Sequence, residues 1–303
     1  MKFFDVVGVG YCALDYLGIV DRYPELDEKT LMSRFLIQGG GITATAMVAV
    51  ARLGGKARYL GKVGDDSFGR EIISGMEEEG VEACHVAIEP GDGSPFSFIV
   101  VDRDTGKRTI FATPGNARFE PEDLKRECVV AGKVVHLDAH HYRPALQAAK
   151  WANEESIPIV MDAGNYYEDS DDLLDRVDFL IASELFAKQC TGEDDGEAAA
   201  RKMMEVSLGK RALTAVTLGD RGCLYIAGEE IRHQPAFPVE VVDTTGAGDV
   251  FHGAFSFGLS QWWSYPEIVE FASAVAAIKC TKLGGRAGIP TYQQTLAFLK
   301  GRV

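Results

Sequence analysis

Short runs of β-branched and aromatic residues alternate along the chain with stretches of helical periodicity, and this alternation limits the fold more than any other feature. Strand-like runs cover residues 4–9, 57–61, 133–137, 158–162, 179–182 and 212–217, with helical patterns near 42–53 and 68–79 and between most of the later strands. A βαβα order of this kind predicts an α/β fold: a mainly parallel central sheet with helices on both faces.

Two regions break the order. Residues 94–101 and 107–113 are strand-like and joined by the turn-rich Asp102-Arg-Asp-Thr-Gly106, which predicts an antiparallel hairpin. Residues 14–21 and 30–37 alternate apolar and polar side chains around Pro24. Together, residues 12–37 and 94–113 are expected to form a small inserted β-sheet, a lid over a site. With no long linker or repeat, residues 1–303 read as one domain.

A net charge of −14 argues against a nucleic-acid partner, since phosphate backbones are bound through clustered Lys and Arg. The apolar run before Asp5 is too short for a signal peptide, and no stretch approaches the length of a membrane span, so a cytoplasmic location is expected. The six cysteines form no Cys-x-x-Cys pair and read as buried thiols in a reducing compartment.

The chemistry concentrates in Asp243-Thr-Thr-Gly-Ala-Gly-Asp249. A β-branched run leads into this Gly-rich turn, and apolar residues then recur at 250, 251, 254, 255, 258 and 259 if Gly258 is counted with them, so the turn opens a helix. The amides of Gly246, Ala247 and Gly248, at the positive end of the helix dipole, can face an anion. Asp249 is placed to take a proton from an attacking hydroxyl, or is simply an acid favoured by the dipole.

The seven-residue run resembles the signature of the ribokinase-like (PfkB-type) carbohydrate kinases. Three further segments, in the order of that family, are similar to its motifs: Gly39-Gly-Gly-Ile-Thr-Ala-Thr-Ala46 with Gly61-Lys-Val-Gly-Asp-Asp-Ser-Phe-Gly69, then Val216-Thr-Leu-Gly-Asp-Arg-Gly222, then Gly284-Gly-Arg-Ala-Gly-Ile-Pro290. The resemblance implies a ribokinase-like fold and ATP-dependent phosphorylation of a small carbohydrate. It implies Asp249 as base and Gly246, Ala247 and Gly248 as anion hole. Asp15, Gly40 and Gly41 are implied for the sugar, and Ser183, Thr217, Gly219 and Gly222 for the nucleotide. Magnesium is implied at Glu184, a potassium ion at Asp243, Thr245 and Gly284, and a homodimer formed through the lid.

The departures matter. Ala44 stands where the family commonly has Asn, and Ser183-Glu-Leu-Phe186 replaces an Asn-x-x-Glu motif. Arg232-His-Gln-Pro-Ala-Phe237, Phe251-His-Gly-Ala254, Lys279-Cys-Thr281 and Gly285-Arg-Ala-Gly-Ile-Pro290 are most similar to bacterial sulfofructose kinases. Where that group carries a sulfonate-binding Arg and a lid Asn, this chain has His140 and Ala112. An uncharged ketose or related sugar is therefore the first reading and a sulfosugar the alternative, with Arg143 as the cation that could serve it.

His136, His140 and His141 follow a strand at the edge where open α/β sheets bind ligands, which suits His140 to sugar contact or to a plain loop role. Asp162 and Glu184 close successive strands, either as solvated acids or as carboxylates around the water shell of a magnesium ion. Arg286 reads as a loop cation or a phosphate contact. A nicotinamide site at Gly8-x-Gly10-x-x-Ala13, with Glu28 for a ribose, requires a helix to follow, but residues 14–19 alternate like a strand. A non-catalytic sugar-binding protein would have no use for Asp249.

Overall fold

The computed structural model describes residues 2–166, 171–207 and 209–301. In chain order the first strands are β1 (Phe4–Val9), β2 (Ala13–Val20), β3 (Met32–Gly40), β4 (Ala57–Leu60), β5 (Lys62–Gly64), β6 (Ala87–Glu89), β7 (Phe96–Asp102) and β8 (Arg108–Thr113). They are followed by β9 (Gly132–Asp138), β10 (Ile159–Ala163), β11 (Phe179–Ser183), β12 (Leu213–Thr217), β13 (Cys223–Ala227) and β14 (Glu230–Gln234).

Among the described residues the main sheet runs β14-β13-β12-β11-β10-β9-β1-β4. From β4 to β12 every pairing is parallel. Such strands are covered on both faces, and their residues divide between two cores. Val6, Val134, Val160 and Ile181 pack with the helices Ile42–Arg52, Ala247–Ser260 and Tyr265–Lys279. Val7, Val135, Met161 and Leu180 pack on the opposite side with Tyr142–Glu154 and Gly196–Ser207.

The far edge is the antiparallel part of this mainly parallel sheet. β12, β13 and β14 pair antiparallel. Only a tight turn separates β12 from β13, in which the Leu218 amide donates to the Gly222 carbonyl at 2.8 Å. A parallel return needs a crossover of a dozen residues or more, so the chain must double back.

The small separate sheet is present, in the order β3-β2-β7-β8. β7 and β8 form the expected hairpin, whose turn is held by Asp102 Oδ1 accepting from the amide and hydroxyl of Thr105. β3 extends further than residues 30–37, because Gly39 and Gly40 continue the ladder opposite Leu14 and Ala13. Leu17, Ile19, Ile99 and Val101 face inward and pack on Leu283 of the main body.

The cysteines divide differently from the expectation. Cys12, Cys128, Cys223 and Cys280 are buried, but Cys84 and Cys190 are exposed, in a connecting turn and on the outer face of the helix Glu184–Thr191. No helix of the described residues is long and apolar enough to cross a membrane.

Candidate active site

The helix Ala247–Ser260 begins at Gly246, whose φ of +72° lies in the left-handed region. A Cβ there would lie 2.9 Å from the Gly285 Cα, so the turn needs glycine for both its backbone angle and its close approach. The Ala247 amide donates to the Thr244 carbonyl at 3.2 Å, and would have to exchange that partner to hold an anion. Ala247 and Gly248 line a cavity of about 510 Å³ together with Thr217, Gly219, Gly222 and Thr244.

Asp249 sits half-buried in the first helical turn. Burial, and secondly the charge of Asp162, push its pKa up to about 7, while His252 and Arg108 oppose them. Asp162 is not the solvated acid expected at a strand end: it is 7% exposed, and its Oδ2 lies 3.0 Å from Nδ1 of His252. Burial, with Asp138 nearby, holds the Asp162 carboxyl well above the usual carboxylate range.

Asp243, Thr245 and Gly284 do come together. Asp243 Oδ1 accepts from the Thr245 amide and hydroxyl at 2.8 and 2.7 Å, and Oδ2 accepts from the Gly284 amide at 2.7 Å. Lys279 Nζ donates to the Asp243 carbonyl at 2.9 Å. Every oxygen of Asp243 thus meets a protein donor, and the Lys279 ammonium already supplies a positive charge where the potassium ion is expected.

Asp15, whose charge reaches Asp249, belongs to β2 and is 6% exposed. Burial pushes its pKa up to about 6, with Arg286 and Ser97 opposing. A Cβ on Gly40 would lie 2.0 Å from Asp15 Oδ2, so glycine is what lets the carboxylate lie against this backbone. Gly41 caps the helix Ile42–Arg52. Arg286 belongs here and does not line the cavity beside Ala247 and Gly248: its Nη2 donates to the Gly40 carbonyl at 3.0 Å.

The histidines separate. His140 is exposed and its ring stacks on Tyr11 with centroids 4.0 Å apart, while its amide donates to Asp138 Oδ1. His136 is no edge residue: it lies inside β9, fully buried, with Nδ1 3.1 Å from the Ser256 hydroxyl. The neighbouring Asp138 is engaged by the protein: its Oδ2 accepts from the Tyr11 amide and the Thr43 hydroxyl at 2.7 and 2.6 Å. Arg143 points to an exposed ion pair with Glu120 at 2.8 Å.

Ser183 and Glu184, implied for the nucleotide and magnesium, do not line the cavity beside Ala247 and Gly248. The Ser183 hydroxyl accepts from the Phe186 amide and donates to the Gly164 carbonyl, as a helix cap. Glu184 pairs with Arg221 at 2.5 Å and Lys188 at 2.9 Å, and Lys188 above all holds its pKa below the ordinary value. A carboxylate engaged by two cations does not fit a direct magnesium ligand.

Sequence patterns alone missed Arg108, which reaches from β8 so that Nη1 donates to the Thr244 hydroxyl at 3.0 Å. They also missed the roles of His252 and Lys279. The signals were present, a basic residue in the lid hairpin and polar residues on apolar helix faces, but their targets lie 136, 71 and 36 positions away in the chain.

A cavity lined by a Gly-rich turn, with a carboxylate in the first turn of the helix that follows, suits a phosphoryl-transfer enzyme. The family model for "pfkB family carbohydrate kinase" matches residues 4–292, and the chain belongs to that family. It is an ATP-dependent carbohydrate kinase with a ribokinase-like fold. It is 28% identical to the ribokinase of Haemophilus influenzae, over 96% of this chain and 97% of that one. It is 31% identical to fructokinase-1 of Oryza sativa subsp. japonica, over 88% and 90%. Among solved structures, the ribokinase of Thermotoga maritima superposes with a TM-score of 0.80 at 29% identity, covering 98% of this chain and 100% of that one. Arabidopsis thaliana ribokinase complexed with ribose and ATP gives 0.82 at 25%, covering 98% and 99%.

Proposed function

We propose that this kinase transfers the γ-phosphoryl group of ATP to a hydroxyl of a small uncharged sugar, a ketose or pentose, with Asp249 as the general base. The observation that carries this reading is that Asp249 directly follows Ala247 and Gly248, which line the cavity, and also feels the charge of the buried Asp15 carboxylate. Asp15 and the Gly40–Gly41 backbone hold sugar hydroxyls. Asp249 takes the proton of the attacking hydroxyl, and its perturbed pKa suits a base working near neutral pH. The first-turn amides and the helix dipole stabilise charge on the phosphoryl group in flight. Magnesium enters with the nucleotide.

The preference for a neutral sugar rests on where the cations are. A sulfonate in a partly closed pocket requires charge-assisted donors. Arg143 is engaged by Glu120, and Arg286 gives Nη2 to the Gly40 carbonyl while Asp15 balances its charge. The test is kcat/KM for D-fructose, D-ribose and 6-deoxy-6-sulfofructose at fixed ATP and magnesium. The neutral sugars are expected to lead. A tenfold or greater preference for the sulfosugar, lost in Arg143→Ala, would replace this reading with the sulfofructose one.

We also propose that the small sheet joins two copies into a homodimer in the cytoplasm. Phe35, Ile37 and Phe111 are 54%, 45% and 60% exposed, and the register places them on one outward face with Tyr16 and Phe98. An apolar patch of this kind marks an interface. Sedimentation at micromolar concentration should give a dimer, and Phe35→Asp with Phe111→Asp a monomer. A monomeric wild-type protein would refute this assembly.

A further inference from the structure

Lys279 ends the helix Tyr265–Lys279 with 0% of its surface exposed. A buried ammonium is costly unless it is paired and hydrogen-bonded. Its Nζ donates to the main-chain carbonyl of Asp243, the residue that opens the Gly-rich turn. The charged groups around it are Asp243, Arg108 and Asp249, with the Cys280 thiol alongside. Burial draws its pKa down, and the two carboxylates oppose that shift.

The remaining Asp243 oxygens bind the loop together: Oδ1 holds Thr245 and Oδ2 holds the Gly284 amide, joining the turn before the catalytic helix to the loop after Lys279. A free alkali cation binds through oxygen lone pairs. Here each of the three Asp243 oxygens already accepts from an N–H or O–H group, and a positive charge is already in place. An ammonium group and a potassium ion carry the same charge and are of similar size. The lysine differs in being covalently attached, so it loses no translational freedom when the loop forms.

We propose that the Lys279 ammonium is a tethered monovalent cation, which takes the place a potassium ion would have beside Asp243 and makes the enzyme independent of free potassium. The ammonium braces the carbonyl of Asp243 and so fixes the Gly-rich turn that presents Gly246, Ala247, Gly248 and Asp249. Lys279 is a positioning residue, not a catalytic one.

The inference rests on the proposed function only in its activity arm, so the decisive measurement uses the unliganded protein. Melting temperatures are compared in potassium chloride, sodium chloride and choline chloride at equal ionic strength. The wild-type protein should melt within about 1 °C in all three. A millimolar, saturable stabilisation of the wild type by potassium over choline would overturn the proposal. Lys279→Ala leaves a cation-sized space, and potassium or ammonium, but not choline, should raise its melting temperature by about 3 °C or more. A folded Lys279→Ala protein indifferent to the ion would also overturn it. Should that variant fail to fold, the wild-type comparison alone still decides. In the activity arm, ATP turnover with D-fructose or D-ribose should be unchanged when choline replaces potassium, and Lys279→Ala should gain activity with ammonium. If neither sugar is turned over, the proposed function is weakened while the melting result stands.

Discussion

Nδ1 of His252 lies 3.0 Å from Oδ2 of Asp162 and 2.6 Å from the Gly248 carbonyl, while Nε2 lies 3.0 Å from the Ile181 carbonyl. A carbonyl only accepts, so hydrogen bonding to Gly248 and Ile181 favours protons on both ring nitrogens, while burial opposes the charge and draws the His252 pKa down. The pair lies one helical turn from Asp249, and without the histidine a second buried carboxylate would compete with Asp249 for the negative charge.

A pH experiment follows from that pairing. Asp249 works as a base only when ionised, so kcat/KM should fall about tenfold per unit below a pH near 7. His252→Asn removes a group that lowers the Asp249 pKa and should move this acid limb to higher pH. Asp162→Asn removes the competing anion and should move it to lower pH, and the double variant should return towards the wild type. Loss of activity at all pH values with an unmoved limb would reduce His252 to a packing role.

Replacement of Asp249 by Asn keeps the shape of the side chain and removes the base. Turnover should fall by about 10²–10⁴ while ATP binding, followed by calorimetry, stays intact. A folded Asp249→Asn protein with near-normal turnover would place the base elsewhere.

Arg108 is the cation of the small sheet nearest the Gly-rich turn, through its bond to Thr244. With ATP in the cavity it is placed to answer phosphate charge. Arg108→Ala should lower kcat/KM for ATP about 10–100-fold, the worth of one charge-assisted hydrogen bond, and Arg108→Lys should recover part of it. Equal kinetics in Arg108→Ala and the wild type would confine the residue to holding Thr244.

Phe255 is fully buried on the helix Ala247–Ser260 and meets Phe179 of β11 with ring centroids 5.8 Å apart. Truncation to Ala leaves a cavity in this core. Denaturant unfolding should show a loss of about 3–5 kcal/mol. A change below about 1 kcal/mol would mean that the site collapses around the smaller side chain.

Much of the architecture was legible because it depends on local patterns. Doubly buried strands need near-continuous apolar runs, as in β10 and β11, and the Gly-rich turn before an apolar helix face announces itself over a few residues. The site was legible in part for the same reason: Gly246, Ala247, Gly248 and Asp249 are neighbours, and Asp15 with Gly40 follows from a matched motif. The antiparallel edge was missed because its cue, the short distance between β12 and β13, appears only once both strands are recognised.

By itself the sequence determined the fold class, the place of the Gly-rich turn and the kind of chemistry it serves, since these follow from periodicity and from residues adjacent in the chain. Tertiary structure alone decided how the charges are shared. It placed Asp162 against His252, sent Glu184 to Arg221 and Lys188, brought Arg286 beneath Gly40, and buried Lys279 on the Asp243 carbonyl. Whether a carboxylate is a base, a ligand or half of an ion pair depends on its desolvation and on cations within a few ångströms. Those neighbours come from distant segments, and no spacing along the chain records them.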